Sequence, residues 1–341
     1  MRSLARKHIL ELSAYRSARD EFEGVADVYL DANENPHDFA FNRYPDPYQS
    51  DLKQKISDLK DVGPEKIFLG NGSDEIIDLL IRSFCEPGQD AILTCKPGFS
   101  MYAFSAELNQ VQNDEYLLST TFNIELDSFL NKIQENHKLI FLCSPNNPTG
   151  NSIPMQTIQQ ICDTAKGLVV VDEAYIDFAE VESCLHEISN DNLVVLQTFS
   201  KSFGSAGIRL GMGFMHADLV KLLNAVKLPY NVSQITQGYA MTLLSNYAKV
   251  KASVDNIKVE REFLKTALDQ LDNVIKVHPS DANFFLVEFE NAKKIYTYLM
   301  SNAVIVRDRS NVILCDNCLR ITVGLPEENK KLISLIREFK A

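Results

Sequence analysis

The sequence contains no apolar run of the roughly 18 residues that a membrane-spanning helix requires. Its first twelve residues carry Arg2, Arg6 and Lys7 but lack the apolar segment of a secretory signal. We therefore expect a protein that neither spans a membrane nor enters the secretory pathway.

Positive charge is also scarce. The 34 Lys and Arg residues are outnumbered by 46 Asp and Glu residues, which gives a net charge of −12. A nonspecific grip on nucleic acid or on an anionic membrane is therefore not expected. Small anions can still bind where a few cations are gathered, which makes individual arginines the residues to follow.

Cysteines number only seven, and this odd count in a long chain favours the reducing cytoplasm over a disulfide framework. Cys315 and Cys318 form the one CxxC pair, and no further ligands are spaced to complete a zinc site. We expect two small, partly buried residues in a loop, and no metal.

The 341 residues, 45 % of them apolar, suffice for a large core and more than one domain. Short aliphatic runs alternate with helical patterns such as Ser73–Glu86, which predicts an α/β fold with a mostly parallel sheet flanked by helices. The candidate strands are Lys66–Gly70, Ala91–Cys95, Lys138–Ser144, Leu168–Asp172, Leu193–Thr198 and Leu210–Met215.

The pattern changes from about Gln234, where one long helical stretch runs to about Leu271. It is followed by the candidate strands Val274–His278, Phe284–Phe289, Val304–Arg307 and Leu319–Val323, a helix at Ala292–Ser301 and a closing helix after Pro326. We expect an N-terminal arm at 1–40, a large domain at 41–240 and a smaller α/β domain at 241–341.

A glycine-containing turn, Gly70–Glu75, joins a candidate strand to a helix. Its glycines allow close backbone approach, and the helix start offers free N–H groups, which together favour a phosphate site. Glu75 stands where a dinucleotide fingerprint has its third glycine. An ordinary turn with Ser73 as the helix N-cap is an equal alternative.

Two further candidates follow buried strands. Asp172 ends the run Leu168–Asp172, and ligands of parallel sheets bind outside such strand ends, although an isolated Asp there is more often a cap. Lys201 lies between serines after the next strand, and Arg209 follows it. Burial beside a cation makes a lysine amine nucleophilic, but a surface lysine beside a turn is the default alternative.

Taken in chain order, these motifs resemble the fold-type-I pyridoxal-5′-phosphate (PLP) enzymes, and specifically the class II aminotransferases. The match to the histidinol-phosphate aminotransferases runs from about Leu30 to the C-terminus. It is carried by the segments Asp31–Pro36, Arg43–Pro47, Asp172–Phe178 and Cys318–Gly324. Ser144–Gly150 and the segment around Lys201 carry the broader resemblance to the superfamily.

The resemblance implies a role for each cofactor-binding residue. Lys201 forms a Schiff base with PLP and later moves the substrate's proton, and Asp172 pairs with the pyridine nitrogen. Asn147 and Tyr175 donate to the ring oxygen. The cofactor phosphate is held by the amides near Ser73 and Asp74, the hydroxyls of Thr198 and Ser200, the side chain of Arg209, and Tyr44 of a neighbouring subunit in a homodimer with shared sites.

Phe99 stands where relatives place a tyrosine that stacks on the ring, and its ring face can serve the same purpose. For the substrate, the resemblance implies that Arg320 and Arg307 bind its anionic groups, with Asn33 and Glu34 beside the imidazole. A surface ion pair of Arg307 with Asp308 or another acid is the alternative.

The resemblance implies transamination between histidinol phosphate and 2-oxoglutarate, giving imidazole acetol phosphate and glutamate, in histidine biosynthesis. The core motifs equally suit threonine-phosphate decarboxylation or aromatic amino-acid transamination on the same fold. A PLP-binding protein without catalysis is disfavoured, because no proposed catalytic position is replaced.

Overall fold

The computed structural model describes residues 2–13, 26–187 and 191–340. The α-helices of these residues are α1 (Lys7–Leu10), α2 (Ser50–Lys60), α3 (Ser73–Phe84), α4 (Met101–Leu108), α5 (Leu126–Lys132), α6 (Met155–Thr164), α7 (Ala217–Val226), α8 (Gln234–Ser245), α9 (Tyr247–Leu268), α10 (Ala292–Ser301) and α11 (Pro326–Glu338). The strands are β1 (Ile67–Gly70), β2 (Ala91–Lys96), β3 (Gln112–Leu117), β4 (His137–Cys143), β5 (Leu168–Asp172), β6 (Leu193–Thr198), β7 (Gly211–Phe214), β8 (Val274–Val277), β9 (Phe284–Phe289), β10 (Arg307–Asp308) and β11 (Cys318–Thr322).

Seven strands form the large sheet, in the order β1-β7-β6-β5-β4-β2-β3. Only β7 runs against its neighbours β1 and β6, and the remaining pairs are parallel. Every residue of β5 and β6 is buried, because apolar clusters cover both faces of the sheet. The expected α/β fold with a mostly parallel, helix-covered sheet is confirmed.

The sheet brings three strand ends to one edge. β5 ends at Asp172, and β6 ends at Thr198, which pairs with Gly211. Gly211 also pairs with Gly70, the last residue of β1. Because β1 and β6 both run against β7, their carboxyl ends lie at the same edge of the sheet, on either side of Gly211. Parallel sheets bind ligands at this edge.

A second sheet of four antiparallel strands follows in the chain, in the order β10-β11-β9-β8. Helices α9, α10 and α11 supply the apolar side chains that pack with it, including Leu264, Leu299 and Leu332. This sheet forms the expected smaller α/β unit. The domain boundaries themselves stay a prediction, and the one at 240/241 falls inside α8.

Two predicted elements were wrong. The single helix from Gln234 to Leu271 is broken at Asn246, which has non-helical φ and ψ of −112° and 31° and caps α8 with a hydrogen bond to the Thr242 carbonyl. The strand expected at Val304–Arg307 begins only at Arg307. The Val304 N–H donates instead to the Leu299 carbonyl at 2.9 Å, at the end of α10.

The start of the predicted arm is anchored on the large sheet's helical layer. Arg6 binds Glu86 at 3.1 Å, and its backbone N–H donates to the Ser83 carbonyl. Ala5 and Ile9 are buried in the same apolar cluster as α3. Residues 14–25 of the arm lie outside the described residues.

No helix among the described residues combines the length and the apolar character needed to cross a membrane.

Candidate active site

A cavity of about 480 Å³ opens at the carboxyl edge of the large sheet, a size typical of small-molecule sites. It gathers all of the predicted cofactor and substrate residues except Tyr44, Asn33 and Glu34. These are Ser73, Asp74, Phe99, Asn147, Asp172, Tyr175, Thr198, Ser200, Lys201, Arg209, Arg307 and Arg320.

One end of the cavity is the start of α3. Gly72, not Ser73, is the N-cap, and no side chain caps this helix, so first-turn N–H groups remain for a ligand. Arg209 lies beside them, with Nη2 3.4 Å from Asp74 Oδ2. An added Cβ on Gly72, where φ is +82°, would lie 2.9 Å from Arg209 Nη2. The backbone turn and the guanidinium thus form a compact anion site.

Asp172 lies on the cavity floor and is only 3 % exposed. Its Oδ2 accepts a hydrogen bond from the Tyr102 hydroxyl at 2.7 Å, and its Oδ1 accepts one from the Ala174 N–H at 3.1 Å. Burial raises the pKa of the Asp172 carboxyl, and these two hydrogen bonds oppose that rise by stabilising the ionised form. The site thus holds a buried carboxylate that a cationic ligand group would complement.

Lys201 lines the same cavity, so it is not the surface lysine of the alternative interpretation. Its Nζ lies 5.4 Å from the centroid of the Tyr175 ring. Burial, followed by the nearby positive charge of Arg320, lowers the pKa of the Lys201 amine. A larger fraction of neutral amine favours nucleophilic and proton-transfer chemistry.

Asn147 and Tyr175 form a pair of polar groups between the lysine and the second sheet. The Asn147 Nδ2 donates to the Tyr175 hydroxyl at 3.4 Å, and Arg320 donates to the Asn147 Oδ1. The Arg320 guanidinium also lies 5.3 Å from the centroid of the Phe284 ring. Arg320 is therefore fixed by contacts from both sheets.

Arg307 lines the cavity, and among the described residues it has no ion pair with Asp308, whose Oδ1 accepts from the Ser310 N–H at 2.8 Å. The surface ion pair considered for Arg307, with Asp308 or another acid, is not formed among the described residues. Arg309 lines the cavity as well and was missed in the sequence. Its position two residues after Arg307 was the available signal, because alternate residues of a strand share one face.

Tyr102, the partner of Asp172, was missed too. It lies three residues after Phe99, about one helical turn further along, and the two rings pack edge to face at 5.4 Å. The sequence offered no sign that this buried hydroxyl reaches across to β5.

Tyr44 and Asn33 line a separate cavity of about 460 Å³, together with Glu34. Tyr44 is 50 % exposed and stacks on Tyr230 with ring centroids 4.5 Å apart. The contact of Tyr44 with the cofactor phosphate of a neighbouring subunit stays a prediction, and so does the place of Asn33 and Glu34 beside the imidazole. Within the described ranges, no group of three His, Cys, Asp or Glu side chains is arranged to hold a metal ion.

Comparison with known proteins identifies relatives over the whole chain. The family described as aminotransferase class I and II matches residues 7–336. A histidinol-phosphate aminotransferase of Christiangramia forsetii is 46 % identical over 340 residues, covering 99 % of this chain and 97 % of the relative. Another from Bacteroides fragilis is 47 % identical, covering 100 % of this chain and 99 % of the relative.

Solved structures agree in fold. The histidinol-phosphate aminotransferase of Clostridium acetobutylicum superposes with a TM-score of 0.81 at 26 % identity, covering 87 % of this chain and 90 % of that one. That of Sinorhizobium meliloti, solved in complex with pyridoxal-5′-phosphate, has a TM-score of 0.80 at 22 % identity, covering 87 % and 82 %. The chain belongs to the class I and II aminotransferases and, within them, to the histidinol-phosphate aminotransferases.

Proposed function

We propose that this chain holds PLP through Lys201 and transfers an amino group between histidinol phosphate and 2-oxoglutarate, giving imidazole acetol phosphate and glutamate in histidine biosynthesis. One observation carries the proposal. A buried carboxylate, Asp172, and a lysine of lowered pKa, Lys201, line one cavity. The same cavity is lined by four arginines, Arg209, Arg307, Arg309 and Arg320.

The residues present fit PLP. The uncapped start of α3 and Arg209 suit its phosphate, the Asp172 carboxylate suits a protonated ring nitrogen, and Asn147 and Tyr175 suit the ring oxygen. Phe99 is placed to cover a ring face. When bound, PLP supplies an electron sink for the negative charge left on the substrate's Cα.

The protein's own part in the reaction is proton transfer and electrostatics. The Lys201 Nζ acts as the general base that removes the proton from the substrate's Cα, and its lowered pKa keeps more of the amine neutral near pH 7. The hydrogen bonds from Tyr102 and Ala174 stabilise the ionised form of Asp172, which would pair with a protonated ring nitrogen of the cofactor.

Substrate binding falls to Arg320 and Arg307. A guanidinium donates to either a phosphate or a carboxylate, so one site serves histidinol phosphate in one half-reaction and glutamate in the other. The names of relatives at 46–47 % identity support histidinol phosphate as the amine. We also propose a cytoplasmic homodimer in which Tyr44, half exposed here, reaches the cofactor phosphate of the neighbouring subunit.

The test is to incubate purified enzyme and PLP with histidinol phosphate and 2-oxoglutarate and to assay glutamate, with phosphothreonine assayed in parallel for carbon dioxide release. The Lys201→Ala variant, loaded with the same PLP, serves as the matched control. Glutamate formation by the unaltered enzyme alone supports the proposal. Carbon dioxide release from phosphothreonine without glutamate formation would support the decarboxylase instead.

A further inference from the structure

Three arginines share one face of the small sheet. Arg307 in β10 pairs directly with Arg320 in β11, and the ladder continues where the Arg309 N–H donates to the Cys318 carbonyl at 2.9 Å. Because side chains alternate along a strand, Arg309 joins Arg307 on the cavity side, and Asp308 is absent from the cavity lining. Like charges placed opposite each other repel, so this arrangement favours an anion between them.

Among the described residues, no carboxylate that lines the cavity pairs with these three arginines. Asp74 pairs with Arg209, and Asp172 is bonded to Tyr102. These are the only acidic residues that line the cavity among those described.

Arg309 contributes a buried hydrogen-bond donor to this group of arginines. Its Nε is buried and has no hydrogen-bond partner among the described residues, whereas Arg320 is bound to Asn147. Burial and the charges of Arg320 and Arg307 lower the pKa of the Arg309 guanidinium. An unpaired buried donor beside two like charges is destabilising unless a ligand satisfies it.

We propose that Arg309 is a specificity-determining residue that donates to the phosphate of the amine substrate and so selects phosphate esters over amino acids with a single carboxylate. The inference rests on the proposed function. Histidinol phosphate and L-histidine share the same amine and imidazole and differ only in the anionic group on Cα. The phosphate carries a second negative charge, has three terminal oxygens and reaches two bonds further, so it needs donors beyond Arg320.

The experiment compares these two amines in single-turnover reactions of the PLP-loaded enzyme, followed by the absorbance of the cofactor. Wild type, Arg309→Gln, Arg309→Lys and the control Arg337→Gln are measured; Arg337 is exposed on α11 and carries the same charge. The quantity of interest is the ratio of the second-order rate constants for histidinol phosphate and L-histidine. Within one preparation this ratio is independent of the fraction of folded enzyme.

We expect Arg309→Gln to lower the ratio roughly 10- to 100-fold, through loss of a charge-assisted hydrogen bond to phosphate. Arg309→Lys should recover part of it, since the charge is kept but the planar fork is lost. Arg337→Gln should match wild type. An unchanged ratio in Arg309→Gln would overturn the inference. If the glutamine variant is insoluble, an Arg309→Lys ratio equal to that of wild type overturns it instead. Failure of wild type to convert histidinol phosphate counts against the proposed function instead.

Discussion

Replacing Gly211 with alanine tests whether the turn after β1 is the phosphate site. Gly211 begins β7 directly beneath this turn, and an added Cβ would lie 2.3 Å from the Ser73 nitrogen and 2.4 Å from the Gly72 carbonyl carbon. Ordinary Cβ contacts begin at 3.4 Å, so the turn has to move by about 1 Å. The atoms in the way are backbone, so a side-chain rotation cannot relieve the clash.

The expected magnitude has two parts. Overpacking of this kind lowers the free energy of unfolding by about 1–3 kcal/mol. Moving the N–H groups of Ser73 and Asp74 away from Arg209 removes at least one charge-assisted hydrogen bond to a bound phosphate, each contributing about 1.5–3 kcal/mol. The affinity for PLP should therefore fall roughly 10- to 150-fold.

The assay is an absorbance titration of the apoenzyme with PLP, accompanied by thermal unfolding of the apoenzyme. Gly207→Ala is the control, because Gly207 lies in the short 3-10 helix Ala206–Ile208 nearby and an added Cβ there meets nothing within 4 Å. If Gly211→Ala unfolds at a lower temperature but binds PLP as tightly as wild type and the control, the turn is not the phosphate site.

Three other substitutions probe the site and its surroundings. Tyr102→Phe removes the hydroxyl that donates to Asp172, so the pKa of Asp172 should rise further. The affinity for PLP in the same titration should fall by roughly tenfold or more, and an unchanged affinity would exclude this positioning role. Arg320→Ala should lower kcat/KM about 10- to 150-fold for both histidinol phosphate and glutamate in steady-state assays. Unchanged kinetics for both substrates would exclude the binding role of Arg320. Burial lowers the pKa of His278 to about 4, so stability is lost as pH falls from about 6.5 towards 4. His278→Gln should therefore lose less stability between pH 7 and pH 5, by on the order of 2 kcal/mol in urea unfolding followed by circular dichroism, and identical losses would refute the shift.

The sequence predicted the central strands well, for a physical reason. Strands such as β5 and β6 are buried on both faces, so every position is apolar and the run is conspicuous. β3 escaped prediction because it lies at the sheet edge, where its residues Gln112–Leu117 are mostly polar and partly exposed. The break at Asn246 escaped because asparagine is a poor helix former but not a strong breaker.

The candidate site was predictable where its residues follow strand ends. Asp172 comes directly after its aliphatic run, and Lys201 comes shortly after the next one, so topology alone brings them to one edge. Tyr102 reaches Asp172 from a helix 70 positions earlier in the chain. No local pattern encodes such a contact, because it depends on how α4 packs against the sheet.

The geometry of the two sheets separates the chemistry from the selection of substrate. Asp172 and Lys201 belong to the large parallel sheet and its strand ends, whereas Arg307, Arg309 and Arg320 belong to the small antiparallel one. The hydrogen bond from Arg320 to Asn147 joins the two sets. Because Arg320 also lowers the pKa of Lys201, changes at Arg307 and Arg309 are the ones that can alter which anion is accepted while leaving the reacting centre in place. Relatives that share this fold but act on other amines are expected to differ first at these strand positions.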